Sequence, residues 1–489
     1  MTMAAETSGS EMSEQPLWTS GAMMAAMRAA RRGTLPVAIT GISIDSRTVA
    51  PGEAYFAIRG DVHDGHAFVA AALKAGAALA VVEAAQRDAF AADAPLLIVE
   101  DVLDALRDLA RASRERLTGQ VIAVTGSVGK TSTKEALRSV LGAQGKTHAS
   151  VASFNNHWGV PLSLARCPAD VRFAIFEIGM NHAGEIKPLV RMVRPHVAIV
   201  TTVEAVHLEF FSGVEAIADA KAEIFEGVEP GGAVVLNRDN SQFARLQKRA
   251  EKLGLRRIVS FGADKKADAR LLDLALHPAS SAVHAKILGQ ELTYKLAVPG
   301  RHMAMNSLAV LAASSLAGAD LALAGLALSQ AQPAAGRGVR HTLTVPNGQA
   351  TLIDESYNAN PASMAAALNV LGQAKIGGQG RRIAVLGDML ELGPTSADLH
   401  RGLIEAVQAN GIDMIFCCGP LMRNLWDALS TGKRGGYAEG SAALESQVLS
   451  AIRTGDVIMV KGSLGSRMKS IVTALEKRFP GTALDDAAV

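Results

Sequence analysis

Apolar and polar positions divide this chain into three successive blocks. In the first, the pattern predicts a helix over residues 23–31, then short apolar strands at 39–44 and 54–58. A helical stretch at 68–75 precedes strand-like runs at 78–82 and 96–99, and residues 102–117 carry apolar positions at helical spacing. The second block opens with an apolar run from Gln120 to Thr125, a glycine turn, and a helix starting at Lys130. Further buried-type strands at 173–178, 197–203 and 233–236 are separated by helical segments. Such alternation implies a parallel sheet covered on both faces. Residues 271–298 alternate with turns but no helices, which predicts an antiparallel extension.

The third block begins near Gly336. A hairpin-like pair at 342–345 and 350–353 is joined through Pro346-Asn347-Gly348. Apolar strands follow at 383–386, 414–417 and 457–460, with helical stretches such as 361–371 and 466–479. This predicts a second doubly wound unit. The fold class is therefore α/β, with divisions expected at 1–117, 118–335 and 336–489. One segment, 308–328, is apolar enough to suggest a membrane span. Ser314, Ser315, Gly318 and Asp320 interrupt it, and Gly318-Ala319-Asp320 has the chemistry of a helix stop followed by an N-cap. Two buried helices joined by a tight turn are expected instead.

Composition narrows the function. At roughly 150 residues per domain, 489 residues suggest about three domains. With 49% hydrophobic and 20% charged residues, a disordered chain is excluded. Lys and Arg total 49 against 47 Asp and Glu, a formal net charge of +2. That balance gives no bulk field for nucleic acid or an anionic membrane, so any polyanion site is local. Cys167, Cys417 and Cys418 are too few and badly spaced for a disulfide framework or a metal knuckle. A reducing compartment follows. Residues 1–15 form a polar stretch without a signal-peptide pattern, and the expected location is cytoplasmic.

The strongest chemical signal is Thr125-Gly126-Ser127-Val128-Gly129-Lys130-Thr131-Ser132, between an apolar strand and a helix start. Glycines let backbone N–H groups converge on phosphate oxygens, and the helix N-terminus adds partial positive charge. Lys130 would bridge the outer phosphates and the Thr131 hydroxyl would suit Mg²⁺. The usual nucleotide-loop spacing places a glycine at position 124, where this chain has Val124, which argues against an ordinary kinase or GTPase. Glu177 and His207 follow strand ends near this loop, and with a hydroxyl and waters they would complete a mixed magnesium site. Taken alone, Glu177 is equally a capping or surface acid and His207 a surface-loop histidine. Lys221, alone, has the setting of a solvated helix lysine. Asn155-Asn156 before Gly159-Val160-Pro161 is explicable as turn chemistry. Arg47 in Asp45-Ser46-Arg47 could fork onto a phosphate or carboxylate. Asp61, Asp64 and His66 have metal-ligand chemistry but fall in a glycine-rich loop, where metal is not expected.

Taken in order, these pieces resemble the Mur ligases, ATP-dependent amide-forming enzymes of peptidoglycan precursor synthesis. The resemblance spans roughly residues 43–467. Beyond the phosphate loop it rests on Asn155-Asn156, on Glu177-Ile178-Gly179-Met180-Asn181-His182 with Gly184-Glu185, and on Asp354 with Tyr357-Asn358-Ala359-Asn360-Pro361. Gly387-Asp388-Met389, Glu391-Leu392-Gly393 and Lys461-Gly462-Ser463 complete the set. The pattern is most similar to members that add D-alanyl-D-alanine to UDP-N-acetylmuramoyl-tripeptide.

The resemblance implies three domains. An N-terminal α/β domain would hold the UDP end through Ser46, Arg47 and His66. A central P-loop ATPase domain would bind ATP through Gly126, Ser127, Val128, Gly129, Lys130, Thr131 and Ser132. Thr131, Glu177, His207 and Lys221 would surround Mg²⁺, with Lys130, Lys221 and His207 as the catalytic set. Lys221 matches the lysine that the family carbamylates, which would make it an anion able to help hold a second Mg²⁺. Asn306 would meet the adenine, and Asn155, Asn156, Asn181 and His182 the substrate. A C-terminal Rossmann-like domain would bring Arg337 and Asp354 to the nucleotide and the dipeptide to Tyr357, Asn358 and Asn360. One departure stands out: the family often has Asn directly after the His of Gly-x-His, and this chain has Met303, which offers adenine only apolar contact. Two rival functions remain at this level: a relative adding a single amino acid, and a nucleotide-dependent switch that forms no covalent product.

Overall fold

The computed structural model describes residues 16–60, 62–151 and 153–481. The tail at 1–15 and Asp61 lie outside the described residues. Two compact units emerge. One comprises the described residues up to Thr118 together with Pro161–Asp170. The other comprises Gly119–Val160 and the described residues from Val171 onward.

The first unit is built on a five-stranded sheet in the order Ala30–Arg32, Leu96–Val99, Leu79–Glu83, Glu53–Phe56, Gly41–Ser43. Only the Ala30–Arg32 edge runs antiparallel. The first helix spans Ser20–Met27, shorter than the expected 23–31. Arg28 adopts a left-handed conformation that ends it, and Ala30–Arg32 is captured as an edge strand, so tertiary pairing overrides local helical pattern. Pro161–Asp170, which the expected division 118–335 assigned to the central block, packs within this unit. Arg166 Nε donates to Ile42 O (2.6 Å), Arg116 Nη2 to Cys167 O (3.0 Å) and Trp18 Nε1 to Ala165 O (2.9 Å).

Two sheets form the second unit. One has nine strands, ordered Gln290–Leu296, Ser281–Ile287, Ala269–Leu276, Arg257–Gly262, Ala233–Asn237, Val197–Val200, Gln120–Thr125, Phe173–Glu177, Thr147–Ala149. Its β-branched, wholly buried strands are parallel, as their unbroken apolar runs require. The antiparallel extension is formed by Ala269–Leu276, Ser281–Ile287 and Gln290–Leu296. The apolar segment at 308–328 is the end of helix Arg301–Leu316 and the helix Leu321–Leu328, with the Asp320 side chain accepting from Leu323 N–H. Among the described residues no helix is long and apolar enough to cross a membrane. The other sheet has six strands, ordered Val339–Val345, Gly348–Glu355, Val457–Lys461, Arg382–Gly387, Met414–Cys418, Arg434–Ala438. All but the first pair are parallel. The final helix begins at Lys469 rather than 466, because Arg467 is left-handed and ends a short 3-10 turn at Leu464–Ser466.

The core of the nine-stranded sheet gathers Leu137, Val140 and Leu141 of helix Lys130–Gly142 with Leu308, Leu311 and Ala312 of helix Arg301–Leu316. This packing anchors the start of helix Lys130–Gly142, and with it the glycine loop. Leu308 is fully buried, so Leu308→Ala should cost about 2–5 kcal/mol. Urea unfolding of the two proteins checks this; an unchanged midpoint would contradict the packing described.

Candidate active site

Strand Gln120–Thr125 lies between Phe173–Glu177 and Val197–Val200, where successive connections leave to opposite sides of the sheet. Ligands bind at such a switch point, outside the carboxyl ends of the strands. Here the chain turns through residues 126–129 into helix Lys130–Gly142. Gly126 sits at φ 149°, and a Cβ on it would collide with Thr201 Oγ1. Thr201 Oγ1 instead donates to Val128 O (2.6 Å). Ser127 Oγ donates to Glu204 O (3.2 Å) and accepts from Glu204 N–H (2.9 Å). The loop is thus clamped by the end of the neighbouring strand. Lys130 Nζ folds back onto Gly126 O (2.7 Å).

Thr131 Oγ1 donates to Glu177 Oε2 (2.8 Å) and lies 3.3 Å from Ser153 Oγ. Glu177 is buried, and its other oxygen accepts from Asn155 Nδ2 (2.7 Å). Parallel pairing places Glu177 beside Val124, so carboxylate and loop share one edge. Asn156 caps the helix Gly159–Ala165 by accepting from Gly159 N–H (2.9 Å). Lys134, missed in the sequence, is fully buried and donates to Ser150 O (2.6 Å), fixing the segment that carries Ser153 and Asn155. No sequence signal marks it, because helix position alone does not reveal burial.

Lys221 departs most from its isolated sequence setting. It is 2% exposed near the end of helix Val214–Ala222. Burial lowers its pKa well below that of an ordinary lysine, and the charge of Lys130 lowers it further. Burial also lowers Lys130, opposed by the Glu177 carboxylate and reinforced by the Arg337 guanidinium. Lys130, Lys221 and Arg337 therefore converge on one electrostatic neighbourhood, with Glu177 as the nearby anion.

His207 pairs with a residue of the last block. Its Nδ1 lies 2.6 Å from Glu391 Oε2, and this contact lowers the Glu391 pKa. His182 packs at a tilt against Phe210, 4.5 Å between ring centres, and its Nδ1 lies 2.9 Å from Glu185 Oε1. Asn181 is exposed, with its N–H on Glu185 Oε2 (2.8 Å). Among the described residues, no three His, Cys, Asp or Glu side chains form a metal-holding cluster.

An apolar cleft beside the glycine loop is lined by Ser132, Ala136, Leu296, Met303, Asn306 and Val310, among others. Asn306 Nδ2 would lie 2.8 Å from a Cβ on Gly129, so its amide sits directly against the loop. Arg337 stacks over the Tyr357 ring at 4.5 Å. Asp354, expected at the nucleotide, is buried; it accepts from Ser356 Oγ (2.6 Å) and from Lys469 Nζ (2.9 Å). Asn360 caps helix Pro361–Gln373 in a box with Ser363, and Asn358 Oδ1 accepts from Ala359 N–H (2.8 Å). These side chains stiffen their own loop, which leaves Arg337 and Tyr357 as the groups presented as a stacked pair.

In the first unit, Ser46 is half-buried and exposed Arg47 forks onto Asp45 (2.7–3.2 Å). The hydrogen bonds from Arg47 pull Asp45 down to about 2. His66 is buried with both ring nitrogens engaged. Its Nε2 accepts from Glu83 N–H (3.0 Å), so Nδ1 carries the proton toward Asp64 Oδ1 (2.6 Å). It shapes this loop and has no nitrogen left for metal or substrate.

A clamped glycine loop at a sheet switch point, with Lys130, Lys221 and Arg337 around it and an apolar cleft beside it, defines a P-loop nucleotide-binding protein. Three family models then match the chain: "Mur ligase family, catalytic domain" over residues 38–114, "Mur ligase middle domain" over 124–314, and "Mur ligase, glutamate ligase domain" over 340–464. UDP-N-acetylmuramoyl-tripeptide--D-alanyl-D-alanine ligase of Escherichia coli is 34% identical over 453 residues, covering 90% of this chain and 94% of that protein. MurF from Acinetobacter baumannii superimposes with a TM-score of 0.81 at 29% identity, covering 94% of this chain and 99% of that one. MurF from Thermotoga maritima, solved in complex with ADP, gives 0.74 at 25% identity over 90% and 97%. The chain belongs to the Mur ligase family and is an ATP-using ligase.

The depressed Lys221 yields a signed prediction. Between its lowered value and the usual 10.5, the unfolded chain holds the extra proton, so Lys221 makes stability rise with pH across that window. In carbonate-free buffer Lys221→Met should remove this component. Denaturant melts of both proteins from neutral to alkaline pH should diverge in slope; parallel curves would mean an ordinary exposed lysine.

Proposed function

We propose that this chain joins D-alanyl-D-alanine to UDP-N-acetylmuramoyl-tripeptide with consumption of ATP. The observation that carries the reading is the family match across all three blocks, together with the cation-lined glycine loop at the sheet edge. The first block would hold the UDP end near Ser46 and Arg47, the central block ATP, and the last block would bring Arg337 to the nucleotide and hold the dipeptide near Tyr357. We place the reaction in the cytoplasm, where ATP is at hand and buried thiols such as Cys167, Cys417 and Cys418 stay reduced.

The chemistry follows from leaving groups. A carboxylate does not acylate an amine at neutral pH, because oxide would have to leave. Attack of a carboxylate oxygen on the γ-phosphorus of ATP breaks the bond to the bridging oxygen and gives an acyl phosphate and ADP. The amine then attacks the acyl carbon, the tetrahedral intermediate expels phosphate, and the nitrogen loses a proton. Lys130, Arg337 and the N–H groups at the start of helix Lys130–Gly142 would offset charge on the transferring phosphoryl oxygens. Asn306, Met303 and Ser132 would seat the adenine. Met303 gives its contact without a hydrogen bond.

The donor set suits Mg²⁺. Thr131 and Glu177 place a hydroxyl and a carboxylate together at the loop, and a hard cation that keeps several waters fits such a sparse oxygen site. When bound, Mg²⁺ would supply charge neutralisation at the β- and γ-phosphates. His207 would contribute its free nitrogen. Lys221 fits carbamylation: a buried amine held neutral can attack CO₂ and lose a proton, and the resulting anion would be attracted to the Lys130 ammonium.

ADP release should require both the UDP-linked tripeptide and the dipeptide, and mass analysis should show a new amide. Release that continues without the dipeptide, or no amide, would overturn the assignment. A panel of amine acceptors separates the dipeptide from single amino acids. Lys130→Ala should lower turnover on the order of 10²–10³-fold, as for loss of one preorganised donor.

A further inference from the structure

Three loops meet at one junction between the central block and the last. Residues 181–185 and 207–210 come from the central block and residues 391–393 from the last. His182 packs against Phe210 with its ring tilted at 50°, tying the first two loops together. Gly393, at φ 61°, approaches so closely that a Cβ there would lie 3.2 Å from Glu209 Cα. His207 sits at φ 55° and Glu391 at φ 63°, a left-handed region uncommon for residues other than glycine. Strain of this sort persists where surrounding structure holds it, and it clusters at working sites. Both strained residues face one another: His207 Nδ1 lies 2.6 Å from Glu391 Oε2.

An ionised carboxylate only accepts, so Nδ1 must carry the proton, and in the neutral ring Nε2 keeps the lone pair. Histidines that hold metals are oriented in this way by a carboxylate on the other nitrogen. We propose that Glu391 is a positioning residue, which reaches from the last block to fix the tautomer and ring orientation of His207 in the central block, so that His207 is set for Mg²⁺ only while the two blocks are docked. This rests on the ATP–Mg²⁺ reading above and deepens it. It also accounts for the Glu391-Leu392-Gly393 motif, in which Glu391 supplies the carboxylate and Gly393 the close approach that brings it there.

The test uses the full chain. In metal-free protein labelled with ¹⁵N in its histidine rings, the His207 signals are assigned by their loss in His207→Ala. Wild type should show the Nδ1–H tautomer, and Glu391→Ala a shift toward Nε2–H. With a non-hydrolysable ATP analogue present, Mn²⁺ titrated in by electron paramagnetic resonance should bind Glu391→Ala about 10–100-fold more weakly. Glu391→Gln, whose amide oxygen still accepts, should recover most of that affinity. Gly393→Ala, which pushes the loops apart without touching either side chain, should shift the tautomer in the same direction; this variant stands if Glu391→Ala fails to fold. A wild-type tautomer in Glu391→Ala or Gly393→Ala, or unweakened Mn²⁺ binding in Glu391→Ala, would overturn the proposal. Failure of the ligase reading would look different: the tautomer and Mn²⁺ results would hold while wild type formed no amide.

Discussion

Two anions that must touch impose the governing constraint on this molecule. A triphosphate and a carboxylate repel, and at an effective dielectric constant of about 20 each pair of unit charges about 4 Å apart costs roughly 4 kcal/mol. The carboxyl edge of the nine-stranded sheet is built to offset that cost. Lys130 and Arg337 supply positive charge there, the Lys130 charge helps to lower the proton affinity of buried Lys221, and Glu177 keeps the site from being purely cationic. Lys130 Nζ rests on the Gly126 carbonyl, an acceptor that phosphate oxygens can displace. The helix behind the loop supplies N–H groups already aimed outward.

Rigidity at this edge comes from the neighbouring strands. Thr201, Ser127 and Glu204 fix the glycine loop, while Lys134 and Asn155 fix the approach to Glu177. Polar groups of this kind are costly to bury unless satisfied, and here they hold backbone and carboxylate to one another. The last block is arranged differently. Asp354, Asn358 and Asn360 spend their side chains on the loop itself, so that Arg337 and Tyr357 form a stacked platform. Specificity there would come from loop shape as well as from direct contact.

Much of this was legible in the sequence because it is local. An apolar strand, two glycines and a helix start at fixed spacing define the phosphate loop without any knowledge of packing. The alternation at 271–298 announced its antiparallel strands, and Gly318-Ala319-Asp320 announced its helix break. What sequence left open depends on distant segments. Lys221 has the local setting of a surface lysine and is buried only because of what folds over it. His66 has a ligand's chemistry, yet Glu83 and Asp64 take both nitrogens. Arg28 ends a helix because the next residues pair with Leu96–Val99, more than sixty positions on by rough count. Pro161–Asp170 leaves the central block for the first unit through contacts such as Arg166 to Ile42, which no periodicity encodes.

The central claim is that the substrate carboxylate becomes an acyl phosphate before any amide forms. Its most direct test is to label that carboxylate with ¹⁸O and follow the oxygen. The account predicts one labelled oxygen in the released orthophosphate for each amide made. Orthophosphate that carries no label, while amide accumulates, would contradict it.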